Sequence, residues 1–211
     1  MCYLPNVPEK LFSGFSVSNF FPQDPLWKEF IEARLPIFWI IGPSFSGKTS
    51  LAHILTEISN FHMLRLQFLS SITTENSKAH LVEPKDNKIV KLKNEIRNTF
   101  KDSQGYIIDD FPSNLKECIQ FEKKICKPTV VIYISINLDA ILARALAQHP
   151  NLDINALRIG YVREMKNSEK ICRRYEKLYK VIKVYSQFPI QDTHAKVIEI
   201  LETDFGYKFK H

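Results

Sequence analysis

The sequence predicts an α/β protein with a parallel central sheet of about five strands flanked by helices. Three observations lead there. Helical patterns alternate along the chain with short β-branched runs, the order that produces layers of strands and crossover helices. Residues 36–41 (Pro36, Ile37, Phe38, Trp39, Ile40, Ile41) are apolar throughout, as a strand must be when helices cover both faces of its sheet. That run ends directly in a glycine-bearing turn, and a helical pattern follows the turn.

Composition bounds the answer before any motif is read. With 211 residues, 45% apolar and 25% charged, the chain is long enough for one sizeable core, and disordered and fibrous classes are excluded. Even the run 37–41 is far short of the roughly 20 residues a membrane span needs, so no membrane association is expected. The first twenty residues show no basic start leading into an apolar stretch, which predicts a cytoplasmic protein without a secretory signal. Cys2, Cys118, Cys126 and Cys172 are too sparse for a disulfide framework and lack paired zinc spacing, so reduced structural thiols are expected. The net charge of +6 favours anionic partners in general. No recognition motif for nucleic acid accompanies it, and none is expected to bind.

In chain order, residues 1–24 form an aromatic-rich arm broken by Pro5, Pro8 and Pro22, leading into a short helix over 26–34. The strand 36–41 follows, then a helix over 48–59 and a second strand over 63–68. Ile89, Leu92, Ile96 and Phe100 fall at helical spacing and predict a helix over 87–100. A third buried strand is expected over 105–109, a helix over 114–125 and a strand over 129–135. Asn137 caps the next helix, which carries Arg144 and ends by Pro150. A long final helix is expected to begin near Asn167 or Ser168 and to place Ile171, Tyr175, Leu178, Ile182 and Tyr185 on one face. Ile190 supplies a last short strand, and Asp192 caps a terminal helix through residue 202.

Gly42-Pro43-Ser44-Phe45-Ser46-Gly47-Lys48-Thr49 matches the P-loop spacing of Gly, four residues, Gly, Lys, then Ser or Thr, in the strand-to-helix position that motif requires. Such a turn aims successive backbone N–H groups and the positive helix end at one point, which suits a polyphosphate. Gly42, Ser44, Ser46, Gly47, Lys48, Thr49 and Ser50 are therefore the expected nucleotide-binding residues, with Lys48 reaching the outer phosphates. Thr49 offers its hydroxyl to Mg²⁺, whose remaining ligands are largely water and phosphate oxygen.

Tyr106-Ile107-Ile108-Asp109-Asp110 ends a buried strand in carboxylates, where ligands of open α/β sheets bind. Asp109 is the candidate partner of the Mg²⁺ shell; capping of the next helix is the other reading of this pair, and it suits Asp110 better. The last third gathers Arg144, Arg158, Arg163, Arg173 and Arg174, and guanidinium groups match the charge that phosphoryl transfer spreads over oxygens. On one straight helix Arg163 and Arg174 would stand about 16 Å apart, so they meet at one phosphate only if Arg163 precedes the helix, in a mobile segment.

Together these motifs resemble the adenylate kinase and UMP-CMP kinase family of nucleoside monophosphate kinases, over roughly residues 36–204. The family's P-loop is followed by a strand ending Asp-Gly-Phe-Pro-Arg, and here Asp109-Asp110-Phe111-Pro112-Ser113 stands at the equivalent place. Arg163 and Arg174 keep the family's eleven-residue spacing between lid arginines, and Arg144 is similar to the arginine that ends the helix before the lid. The resemblance implies a P-loop nucleoside triphosphate hydrolase fold over 35–204, with an acceptor-binding insertion at 69–103, a lid at 149–166, an arm and short helix at 1–34 and a tail at 205–211. It implies a monomer that transfers the terminal phosphoryl group of ATP, with Mg²⁺, to a nucleoside monophosphate, using Lys48, Arg144, Arg163 and Arg174 as catalytic residues.

Departures fall on the acceptor side. Asn76 and Ser113 replace two acceptor arginines, and Glu117 stands where the family has a base-reading glutamine. On the donor side Phe45 replaces a loop glycine. These departures raise an alternative, an adenylate kinase-like module that binds ATP or ADP with little or no transfer. A third reading moves the transfer to another small acceptor, with Ser71, Thr73 or Glu117 in new polar roles.

Overall fold

The computed structural model describes residues 24–66, 87–178, 180–186 and 189–210. The arm, Cys2, the end of the second expected strand, and the acceptor segment with Ser71, Thr73 and Asn76 lie outside the described residues.

Pro25 opens helix α1 (Pro25–Ala33), and Arg34 closes it in the left-handed region at φ 50°. Strand β1 (Ile37–Ile41) is buried along its whole length. Then come α2 (Lys48–Ser59), β2 (His62–Arg65), α3 (Asn87–Thr99) and β3 (Tyr106–Asp109). The second half holds α4 (Leu115–Lys124), β4 (Val130–Ser135), α5 (Leu138–Gln148), α6 (Ile154–Glu176), β5 (Val181–Tyr185) and α7 (Ile190–Thr203). The caps are chemically specific. Asn114 Oδ1 accepts from Glu117 N at 3.0 Å, Asn137 Oδ1 from Ala140 N at 2.7 Å, and Asp153 Oδ1 from Asn155 N at 2.9 Å.

The five strands are all parallel, in the order β2-β3-β1-β4-β5. Alternate residues of β1 feed two cores. Ile37, Trp39 and Ile41 meet α1, α3, α4 and α6 on one face, while Phe38 and Ile40 meet α2 and α7 on the other. The first core is aromatic: the Trp39 ring stands edge-on to Phe121 at 5.2 Å, Tyr175 at 5.5 Å and Phe111 at 5.8 Å. After β1 the chain winds first toward β3 and β2, then crosses to β4. The crevice at the carboxyl end of β1 is therefore the sheet's topological switch point, where open α/β sheets bind ligands.

The structure departs from expectation in the last third. The helix begins at Ile154, capped by Asp153, and not near Asn167 or Ser168, so α6 runs for 23 residues and Arg163 sits inside it. It ends at Glu176. Val181–Tyr185 is the edge strand β5, with Ile182 and Val184 inward and Lys183 and Tyr185 outward, so Ile182 and Tyr185 belong to no helical face. Ile190 opens α7 after Pro189 and forms no strand; Asp192 lies in the first turn instead of capping it.

Candidate functional site

The loop between β1 and α2 is shaped by its glycines. Gly42 adopts φ +146°, and a Cβ there would stand 2.3 Å from the carbonyl oxygen of Ile134, so no side chain fits. Gly47 caps α2 at φ +98°. Phe45 also takes a positive φ, 61°, and its ring lies tilted toward His149 at 6.1 Å between centroids. It thus stands at the cleft wall, and its carbonyl is held by Arg144 Nη1 at 3.1 Å.

The loop opens into a cleft of about 860 Å³ lined by Ser44, Gly47, Lys48, Thr49, Ser50, Asp109 and Arg144 among others. Ser46 is buried beneath it. Lys48 is nearly buried; its Nζ donates to the Pro43 carbonyl at 2.8 Å and lies 3.4 Å from Asp110 Oδ1. The Thr49 hydroxyl donates to Asp109 Oδ2 at 2.7 Å, and Arg65 Nε approaches the same oxygen at 3.6 Å. Asp109 Oδ1 has no hydrogen-bond partner among the described residues, although Asp109 is only 1% exposed. A buried carboxylate oxygen left open beside a threonine hydroxyl fits a hard, oxygen-seeking cation. No group of three or more His, Cys, Asp or Glu side chains is placed to hold a metal among the described residues, so a cation here must bring other ligands with it.

The arginines divide. Arg144 reaches the loop and also Ser186 Oγ at 3.1 Å, and burial lowers its pKa from the ordinary value. Arg163 lies away from that cleft, lining a smaller cavity of about 280 Å³ between the loop's outer shoulder, α5 and α6. Its neighbour Glu164 accepts from Ser44 N at 2.7 Å and Ser44 Oγ at 3.3 Å, tying α6 to the loop. Arg174 points elsewhere: its Nη2 donates to Glu122 Oε2 at 2.6 Å, while the Tyr175 hydroxyl donates to Glu122 Oε1 at 2.7 Å. Burial and the Glu122 carboxylate beside it push the Cys118 thiol up to about 12, which marks the spot as desolvated. The expected meeting of Arg163 and Arg174 at one phosphate is therefore corrected. Both belong to one unbroken helix, about 16 Å apart along its axis.

Asp110 is not a helix cap; Asn114 takes that role. Glu117 is engaged locally, accepting from Ser113 N at 2.8 Å and pairing with Lys88 at 3.2 Å. Sequence reasoning missed Arg65, Lys88 and Lys91, which line the cleft together with Ser113. The signal for Arg65 lay in topology: β2 pairs with β3 in a register that sets Arg65 beside Asp109.

A glycine-shaped phosphate loop at the switch point of a five-stranded parallel sheet defines an α/β protein of the P-loop nucleoside triphosphatase type. No family model matches the chain. It is 25% identical over 183 residues to adenylate kinase isoenzyme 1 of Cyprinus carpio, covering 79% of this chain and 94% of that protein. The same enzyme from Sus scrofa matches to the same extent, and the UMP-CMP kinase of Lentinula edodes is 29% identical over 101 residues, 45% of this chain and 44% of that one. Among solved structures, the Deinococcus radiodurans tunicamycin resistance protein shares the fold, with a TM-score of 0.55 at 16% identity over 84% of this chain and 99% of that one. Over most of its length the chain is thus similar to nucleoside monophosphate kinases, at about 25% identity. No described helix is long and apolar enough to cross a membrane.

Proposed function

We propose that the chain binds ATP, with Mg²⁺, at the loop 42–50 and transfers its terminal phosphoryl group to a nucleoside monophosphate in the same cleft. The observation that carries this reading is the Thr49–Asp109 pair at 2.7 Å beside a nearly buried Lys48, all opening into the one cleft. Mg²⁺, bound with the nucleotide, supplies positive charge to the phosphate oxygens. The chain's own groups do the rest. Backbone N–H groups of the loop and the N-terminus of α2 cradle the phosphates, and Thr49 and Asp109 hold the cation's shell. Lys48 exchanges the Pro43 carbonyl for a phosphate oxygen. Arg144, with Arg65 across the cleft, stabilises charge on the transferring group, and catalysis rests on positioning and electrostatics. Lys88 and Lys91 supply the acceptor side with charge in place of the missing guanidinium groups. The insertion at 69–103 and the lid at 149–166 remain the proposed acceptor and closing segments, the second comprising the turn at 149–153 and the first half of α6.

A second reading is favoured by the placement of Arg174 on Glu122 and of Arg163 outside the cleft: a module that binds ATP or ADP with little transfer. ADP formation measured with Mg²⁺ and ATP across AMP, CMP, UMP, GMP and dTMP, beside calorimetric ATP binding, separates the two. Transfer to any monophosphate supports the kinase; ATP binding with no turnover supports the module. Lys48→Met, which keeps the buried stem, should weaken ATP binding by a hundredfold or so with the melting temperature little changed, and failure to do so removes both readings.

A further inference from the structure

Asp109 ends β3 and Asp110 follows it, and the two carboxylates are held differently. Asp109 is buried, with one oxygen taken by Thr49 and approached by Arg65. Asp110 turns back toward the loop through a left-handed backbone, φ 57°, and its side chain is 69% exposed in the cleft. Its Oδ1 stands 3.4 Å from the Nζ of Lys48, a side chain only 7% exposed. The lysine that faces the phosphates is thus already matched by a carboxylate at the same rim. Asp109 and Arg65 face one another in the same way, and Arg144, Lys88 and Lys91 add positive charge to the cleft, so Asp110 is the exposed acidic group set directly against the phosphate-facing lysine.

The Asp110–Lys48 pairing treats two forms of one ligand unequally. A metal-free triphosphate brings its full negative charge against Asp110 and must also displace it from Lys48. A triphosphate already complexed with a divalent cation brings less charge, and it offers Asp110 a positive partner or a cation-bound water in exchange for Lys48. We propose that Asp110 is a specificity-determining residue, which makes this site reject metal-free nucleoside triphosphate and accept the cation complex. The inference rests on the reading that the loop binds a nucleoside triphosphate.

The test is the affinity for ATP in EDTA and in Mg²⁺, measured by calorimetry for the wild-type chain, Asp110→Asn and Asp110→Gly. Asparagine and glycine both tolerate a positive φ, so each should keep the turn, and thermal melts check that they do. Expected is a gain of about tenfold in the variants for metal-free ATP, against less than about threefold for the complex, so that the EDTA-to-Mg²⁺ ratio of dissociation constants falls. The same ratio in wild type and both variants overturns the proposal, because Asp110 is then only the resting partner of Lys48. Absence of ATP binding to every form in either condition overturns the underlying reading as well, so the two failures are distinct.

Discussion

Replacing Arg174 by methionine separates a structural from a chemical role for this arginine. The substitution keeps an unbranched stem and removes the guanidinium, leaving a Glu122 side chain that is 8% exposed with the Tyr175 hydroxyl as its remaining donor at 2.7 Å. Breaking a fully buried pair from one side costs about 3–5 kcal/mol, since the surviving charge is stranded. Here Arg174 is 40% exposed, so water screens the pair and can enter once the side chain is gone. Together with the donor that remains, this lowers the expected loss to about 2 kcal/mol. At a urea slope of about 2 kcal/mol per molar, the unfolding midpoint falls by roughly 1 M, followed through the fluorescence of buried Trp27 and Trp39. Adding Glu122→Gln should return about half of the loss, because no carboxylate is then stranded. ATP affinity should stay within about threefold of wild type, as the residue lies outside the cleft. A variant that melts with wild type yet loses tenfold or more in ATP binding or transfer would refute this assignment and return Arg174 to the reacting phosphate.

Gly42→Ala should destabilise the chain by about 3 kcal/mol or more, read from a denaturant melt, since the new Cβ meets the Ile134 backbone at 2.3 Å and the φ is closed to L side chains. His194, buried on α7 beneath Gly47, has its pKa lowered from 6.5, chiefly by burial; the Gly47 backbone opposes the shift and the charge of Arg144 adds to it. The native state therefore prefers the neutral imidazole and the unfolded chain binds the proton first. This contribution is complete above pH 6.5 and declines as pH falls below it toward the native pKa, so stability should drop with acidification through that window. In His194→Gln the same acid series should lose less; an identical decline would show that other groups set it.

The elements that define the site could be read locally, and those that complete it could not. Residues 37–41 announce a two-sided strand because every position is apolar, and the glycines announce a turn because the backbone there is closed to other residues. The α2 bounds were expected as found, 48–59. The first half of α6 was missed because its apolar residues do not face a core: Ile154, Ile159 and Val162 are exposed, so no inward stripe marks the helix. Asp153 was its readable start. β5 was absorbed into a helix because Ile171, Tyr175, Leu178, Ile182 and Tyr185 also satisfy a period near 3.6, whereas burial alternates only at Ile182 and Val184. Arg65 and Lys88 reach the cleft through strand order and helix placement, and Glu164 reaches the loop through the long α6; neither kind of proximity is written in local spacing. Arg174 misled for the opposite reason. Its spacing from Arg163 suggested a shared phosphate, but Glu122, distant in sequence, captures it.

One of the two edge strands, β5, has a bearing on how this molecule behaves in crowded solution. A sheet border left bare offers unpaired amides and carbonyls to any passing extended peptide. At five residues β5 is a short template, and Lys183 at its midpoint is salt-bridged to Glu176, so a docking strand would have to lie against a fixed charge. That arrangement discourages growth of the sheet by addition of foreign chain.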